Sequence, residues 1–353
     1  MRATAYSDVV RELVELLAVD PPLRRRVEDA LRDRDQQPGD PWGAMTLEGF
    51  FGFFEAWRTS LPAIDREESF LHRLLKLHRT PKGLALVRER ALAGWLNRFA
   101  QARGDFLDSE DSAWMIARWS EHPEIDLADF VVPEAGFRSF NELFTRKVKP
   151  GARPIAAADD DTVLVSPADS AVQAPLDLDP ETLLEVKGRS LRLDELLGGD
   201  RCAAEFRHGT AMVLFLGVQD YHRFHAPVTG TIARCAMIGG LCFGCDEYPG
   251  QFFTEHRRGF FVLDTRFGPV GMVTVGIATV SSVRHTRAIG DAVRKGDELG
   301  YFAYGGSAIL LLFPKGRVVL DERAENEHVL MGTRIGSFQT PSHPPSGGTP
   351  CSR

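Results

Sequence analysis

The sequence predicts an α+β chain, with a helical N-terminal module over residues 1–134, a β-rich sandwich or barrel-like domain over 135–337 and a disordered tail over 338–353. Three observations carry this. From residue 6 to about 132, apolar residues recur at three- and four-residue spacing, the period of a helix with one buried face. Beyond "GFRSFNELFTRKVKPGARPI" the texture changes to short β-rich runs punctuated by glycine and proline. The closing "FQTPSHPPSGGTPCSR" has too little apolar surface to offset the entropy of ordering it.

The front module reads as helices in "VVRELVELLAV", "TLEGFFGFFEAW" and "ERALAGWLNRFAQA", with polar "RDRDQQPGDPWG" as a separator and "DSEDSAW" supplying caps for a further helix. Phe50, Phe51, Phe53, Phe54 and Trp57 are assigned to a helical core. A membrane-surface role fits them less well, because Glu48 and Glu55 flank the rings and no lysine-rich face accompanies them. The β domain follows in "TVLVSPADSAV", "AMVLFLGV", "APVTGTIARCAMI", "GFFVLDT", "GPVGMVTVGIATVSSV" and "ELGYFAYGGSAILLLF".

Bulk properties exclude several classes. Lys plus Arg number 42 against 49 Asp plus Glu, a net charge of −7, so no overall attraction to nucleic acid is expected. No run approaches the about 20 apolar residues of a spanning helix. With five cysteines and no apolar leader core, the expected location is cytoplasmic, with peripheral contact at the inner face of the membrane. Cys242 and Cys245 form a lone C-x-x-C, which lacks the second pair a zinc site needs, so no metal is assigned. The basic runs "RKVKPGARP" and "HRR" are read as solvated faces.

The chemistry concentrates in four residues. "YFAYGGSAILLLF" interrupts an apolar strand with Gly305, Gly306 and Ser307, which frees the backbone for close approach. "QDYHRFHAP" places His222 and His225 at a strand end or loop, where they supply an acid and a base or anchor a turn. "SPADSAV" adds Asp169, either a backbone cap or a carboxylate that orients an imidazole. The ingredients of a serine nucleophile are present, yet "GGSA" lacks the G-x-S-x-G elbow, so a serine hydrolase fits poorly.

The segments "FNELFTRKVKPGARPI", "SPADSAV", "VKGRSLRLDELLGG", "DYHRFHAPVTGTI", "VLDTRFGPVGMVTVGIATVSSV" and "KGDELGYFAYGGSAILLLFPKG" resemble the phosphatidylserine decarboxylase family, in the family's order, over about residues 135–320. The resemblance implies self-cleavage between Gly306 and Ser307 and a covalent pyruvoyl group derived from Ser307. It casts Asp169 and His225 as orienting acid and base for that cleavage, and His222 as the histidine that assists decarboxylation. It implies phosphatidylserine as substrate, phosphatidylethanolamine plus CO2 as products, and a homodimer. The long front module is also similar, more loosely, to that of relatives that decarboxylate free tryptophan, which makes a soluble amino acid the second substrate reading.

Departures from the family pattern are few. Ala308 stands where a hydroxyl residue is common, which suggests slower processing; Ser281 replaces a glycine. In the loop before "GFF" only Arg258 of His256, Arg257 and Arg258 matches, so the loop expected to border the substrate departs from the family pattern. A third reading, from another class, is a non-catalytic scaffold, because "APVTGTI" and "GDAVRKGDELGYF" resemble lipoyl- and biotin-carrier sandwiches but present no lysine for modification.

Overall fold

The computed structural model describes residues 6–32, 45–64, 70, 73–74, 77, 80–87, 89–173, 175–178, 183–186, 189–240, 256–277, 282–304 and 306–339. Within these the chain has the predicted α+β organisation. The helical module contains Asp8–Val19, Pro21–Leu31, Leu47–Arg58, Pro81–Val87, Arg90–Asp108 and Trp114–Ser120. Caps define two of the starts. The Asp20 carboxylate accepts from the Leu23 N–H at 2.9 Å and the Thr46 hydroxyl from the Gly49 N–H at 3.1 Å, satisfying donors that a first turn leaves orphaned. Pro21 suits its position because its missing N–H would have no intrahelical partner.

The aromatic run of Leu47–Arg58 points inward. Phe50, Phe51, Phe53, Phe54 and Trp57 are all buried, and Phe54 meets Trp95 and Phe99 of Arg90–Asp108 edge-on at 4.7 and 5.0 Å. These rings form a core and are not free to enter a lipid surface. Among the described residues no helix is long and apolar enough to cross a membrane. Phe54→Ala would leave a cavity among the rings of Phe50, Phe53, Trp57, Trp95 and Phe99 and is expected to cost about 3–5 kcal/mol. Urea unfolding followed by tryptophan fluorescence, with Trp57 and Trp95 beside the lesion, measures the shift.

The β domain is organised by one long antiparallel sheet, in the order Ala292–Val293, Gly230–Ile238, Arg258–Thr265, Gly268–Ile277, Gly306–Phe313, Thr210–Leu216, Ser170–Val172 and Glu327–Val329. Two three-stranded sheets accompany it: Val283–His285, Glu298–Phe302 and Arg223–His225 form one, and Val318–Leu320, Arg334–Phe338 and Val163–Val165 the other. Phe338 completes its strand and donates its N–H to the Thr162 carbonyl, so the sheet takes in a residue that the sequence reading gave to the tail. Residues 340–353, Cys242, Cys245 and Ser281 lie outside the described residues.

Gly306–Phe313 is an interior strand. Its side chains alternate between two apolar clusters. Ile309, Leu311 and Phe313 pack with Phe224, Leu299 and Phe302 of the smaller sheet, while Ala308, Leu310 and Leu312 pack against Leu193, Leu196 and Phe206. Burial on both faces explains why the sequence reads as an unbroken apolar run. Ser307 shares the parity of Ile309, so it belongs to the face that the Arg223–His225 strand covers. Ala308 points the other way, into a buried apolar cluster, and its missing hydroxyl is not on the side of Ser307.

Candidate active site

Ser307 pairs with Gly276 on one neighbouring strand and with Leu216 on the other, which holds the start of its strand inside the sheet. Beyond Leu216 the chain turns at Gly217. Asp220 closes that turn, donating its N–H to the Gly217 carbonyl at 3.1 Å and accepting the Gly217 N–H on its carboxylate at 2.7 Å. The chain then runs extended through His222 into Arg223–His225, with the His222 carbonyl accepting from the Phe302 N–H.

Extended backbone sends residues three apart to opposite faces. His222 and Phe224 accordingly lie on the side of Ser307, while Tyr221 and His225 meet on the other side. Of the four candidates, Ser307 and His222 are brought into contact: the Ser307 Oγ lies 3.3 Å from the His222 Nδ1, and both residues are buried. The imidazole stacks on Phe144, with ring centroids 4.0 Å apart and planes 21° apart, and its Nε2 has no hydrogen-bond partner among the described residues. Burial, followed by the charge of Arg146, pushes the His222 pKa down to about 3, so the ring is neutral.

His225 has both ring nitrogens engaged elsewhere. Its Nδ1 lies 2.8 Å from the Gly296 carbonyl, which can only accept, so the proton sits on Nδ1. Burial keeps this ring neutral as well, which leaves Nε2 to accept from the Tyr221 hydroxyl at 3.0 Å. The Tyr221 hydroxyl keeps its proton, its pKa raised by burial.

Asp169 is buried, and Arg153 holds its carboxylate through Nε at 3.0 Å and Nη2 at 2.8 Å. The Met331 N–H adds a third donor at 2.7 Å. The turn carrying Asp169 adjoins His225, whose N–H donates to the Pro167 carbonyl, and the negative charge of Asp169 favours a protonated His225. The two side chains share no direct hydrogen bond.

Several residues of the site escaped the sequence reading. Arg146 and Arg153, from the run read as a solvated face, have buried side chains, whereas Lys147 and Lys149 are exposed. Arg146 donates Nη2 to the Gln219 carbonyl at 2.8 Å, lies 4.2 Å over the Phe130 ring, and has no hydrogen-bond partner for Nε and Nη1 among the described residues. Burial pushes its pKa down to about 10, against the pull of Asp169 and Asp220. Phe144 and Asn141 come from Phe140–Phe144, a helix that the Ser139 hydroxyl caps at the Glu142 N–H. No periodicity in "FTRKVKPGARP" marks the two arginines, because Arg146 and Arg153 have opposite parity and a turn at residues 150–151 separates them.

The other basic run also differs from the reading. His256 and Arg258 are buried, and Arg258 donates to the carbonyls of Leu196, Glu195 and His256, tying the sheet to the helix Leu193–Leu196. Residues 241–255, which precede it, lie outside the described residues.

The arrangement is that of a serine hydroxyl held at the head of an interior strand against a neutral imidazole, beside a second imidazole and an arginine-bound carboxylate. Comparison with known proteins assigns the family. The family model described as phosphatidylserine decarboxylase matches residues 140–337. Phosphatidylserine decarboxylase proenzyme 2 of Oryza sativa subsp. japonica is 34% identical over 275 residues, 74% of this chain and 44% of the relative. The phosphatidylserine decarboxylase proenzyme of Clostridium novyi is 34% identical over 68% of this chain and 84% of the relative. That of Vibrio campbellii is 31% identical over 70% and 94%. The chain thus spans less than half of the rice relative and most of the two bacterial ones. It belongs to the phosphatidylserine decarboxylase family.

Proposed function

We propose that this chain is the proenzyme of a pyruvoyl-dependent decarboxylase that cuts itself between Gly306 and Ser307 and then converts phosphatidylserine to phosphatidylethanolamine and CO2. One observation carries the reading: the Ser307 hydroxyl, buried at the head of its strand, lies 3.3 Å from a neutral imidazole nitrogen. In the first step the Ser307 Oγ gives up its proton and attacks the Gly306 carbonyl carbon. The peptide C–N bond breaks, an ester forms, and the freed amino group takes the proton. Loss of the Ser307 α proton then expels Gly306 as a carboxylate. The unsaturated residue left at 307 takes up water and releases ammonia, which yields the pyruvoyl group.

The residues present suit such a group at 307, because the position is buried and bordered by His222. When present, the pyruvoyl carbonyl supplies an electron sink for the charge left on the substrate α carbon as CO2 departs. His222, in contact with residue 307, is the group assigned to move a proton at that carbon. Asp169 and His225 are assigned to self-cleavage on family resemblance, since each is bonded to other partners in this structure. Peripheral membrane contact and a homodimer belong to the same reading.

A free aromatic amino acid as substrate is favoured by one observation, the burial of the front-module rings that would otherwise have met a membrane. Intact mass under denaturing conditions tests the cleavage: the expected result is two chains, 1–306 and 307–353, with a pyruvoyl terminus on the smaller. Assays of CO2 release from phosphatidylserine vesicles and from soluble amino acids then divide the substrates, with release from vesicles expected. A single uncut 39.1 kDa chain would turn the assignment toward a non-catalytic scaffold.

A further inference from the structure

Residues 1–139 lie outside the matched family segment, yet they supply part of the site's frame. The helix Arg90–Asp108 carries Arg103, whose guanidinium is buried. It donates to the carbonyl of Trp57, to that of Arg58 at 3.0 Å and to that of Ser60 at 3.1 Å, and lies 5.7 Å from the centroid of the Tyr304 ring. Tyr304 stands three residues before Ser307. Its N–H donates to the Asn141 Oδ1 at 3.0 Å, and the Asn141 amide donates at 2.8 Å to Asp108, the last residue of the same long helix. The Tyr304 ring packs edge-on against Phe140 at 5.6 Å and Phe144 at 5.3 Å. Phe144 is also the ring on which His222 stacks.

One aromatic cluster, shared with Leu107, Met115 and Trp119 of the helical module, therefore holds both the chain just ahead of the scissile bond and the imidazole beside it. We propose that the helical N-terminal module is the template for self-cleavage, acting through Arg103, Asn141 and Tyr304 to present the Gly306 carbonyl to Ser307. The proposal rests on the self-cleavage reading above.

Its physical basis is the wide backbone range that glycine has as a residue type. Two glycines separate Tyr304 from Ser307, of which Gly306 opens the strand opposite Ile277 and Gly305 lies outside the described residues. Glycine loses more conformational entropy on being ordered than any other residue, so a glycine pair with a loose end samples many arrangements in which the carbonyl is out of reach. Anchoring residue 304 limits that search and brings the reacting atoms into near-attack geometry. After cleavage the same anchor lies two residues from the new C-terminus and keeps it at the site. Arg103, Asn141 and Tyr304 are in this sense positioning residues.

The test is a time course of cell-free synthesis in which the fraction of cut chain is read by denaturing mass measurement for wild type, Tyr304→Ala, Tyr304→Phe and Asn141→Ala. Tyr304→Ala, which removes the anchoring ring, is expected to slow cutting at least about 10-fold, and Asn141→Ala, which leaves the ring packing in place, to slow it as well. Tyr304→Phe keeps the ring and should cut within about threefold of wild type. Asn141→Ala leaves the buried Tyr304 N–H unpaired and should lower the thermal unfolding midpoint only modestly, so cutting measured well below that midpoint separates positioning from a general loss of fold. A wild type that cuts while Tyr304→Ala and Asn141→Ala cut equally fast overturns the template alone. Slowing that follows a lowered midpoint in every variant, Tyr304→Phe included, also overturns it. An uncut wild type overturns the self-cleavage reading, and the template with it.

Discussion

Ser307→Ala is expected to leave the chain as one 39.1 kDa species and to remove decarboxylation altogether. The substitution removes one oxygen from a buried site and leaves the β carbon in place, so the register with Gly276 and Leu216 has no reason to change. Its cost to stability is the hydroxyl's contact with His222, about 1 kcal/mol. The fold should survive, and the loss can be assigned to chemistry. The next residue offers no replacement, because Ala308 carries no hydroxyl and points to the opposite face of the strand. Denaturing mass measurement together with CO2 release reads the outcome. A cut chain would remove Ser307 as the nucleophile, and turnover by an uncut chain would remove the pyruvoyl mechanism.

The fate of Ala308 illustrates which parts of the site were legible in the sequence. The interrupted apolar run marked both an interior strand and its unusual start, because a strand buried on two faces must be apolar at nearly every position. The departure at 308 was visible too, but its consequence depends on strand parity, which only the register fixes. Parity likewise separates His222 from His225. Their spacing suggested a pair acting together, whereas extended backbone sends one toward Ser307 and the other toward Tyr221.

What stayed hidden were partnerships between distant segments. Arg146 meets the carbonyl of Gln219, and Asn141 meets the N–H of Tyr304, across separations that no local pattern encodes. Arginines in a run such as "RKVKPGARP" read as solvated because burying a guanidinium is costly. Here Asp169 pairs with Arg153 and backbone carbonyls receive Arg146, and those compensations appear only once the chain is folded. The front aromatics were correctly read as core from their flanking acids, yet nothing in their spacing showed that their module would reach Tyr304.

His222→Gln is expected to lower decarboxylation by about 10² to 10⁴-fold, the usual contribution of a positioned proton-transfer group. Glutamine roughly keeps the volume against Phe144 and supplies no basic nitrogen, so the loss should not come with collapse of the stack. The mass of the same preparation locates the defect. Two chains would confine His222 to substrate turnover and leave cleavage to the His225 side of the site, whereas one chain would make His222 the acceptor of the Ser307 proton. Wild-type turnover would remove His222 from the mechanism. The pH dependence separates chemistry from stability. In the folded protein His222 stays neutral until about pH 3 and His285 until about pH 4, both because of burial, while in the unfolded chain each takes up a proton near its ordinary value of 6.5. Below pH 6.5 the unfolded state therefore binds more protons than the folded state, and stability falls as pH is lowered from 6.5 toward 4. Any acid loss of turnover in that window traceable to these two rings should track unfolding, seen as a falling thermal midpoint. A loss centred near pH 6.5 in a protein whose midpoint holds steady would mean that the working histidine is exposed to water and is not the buried ring at Ser307.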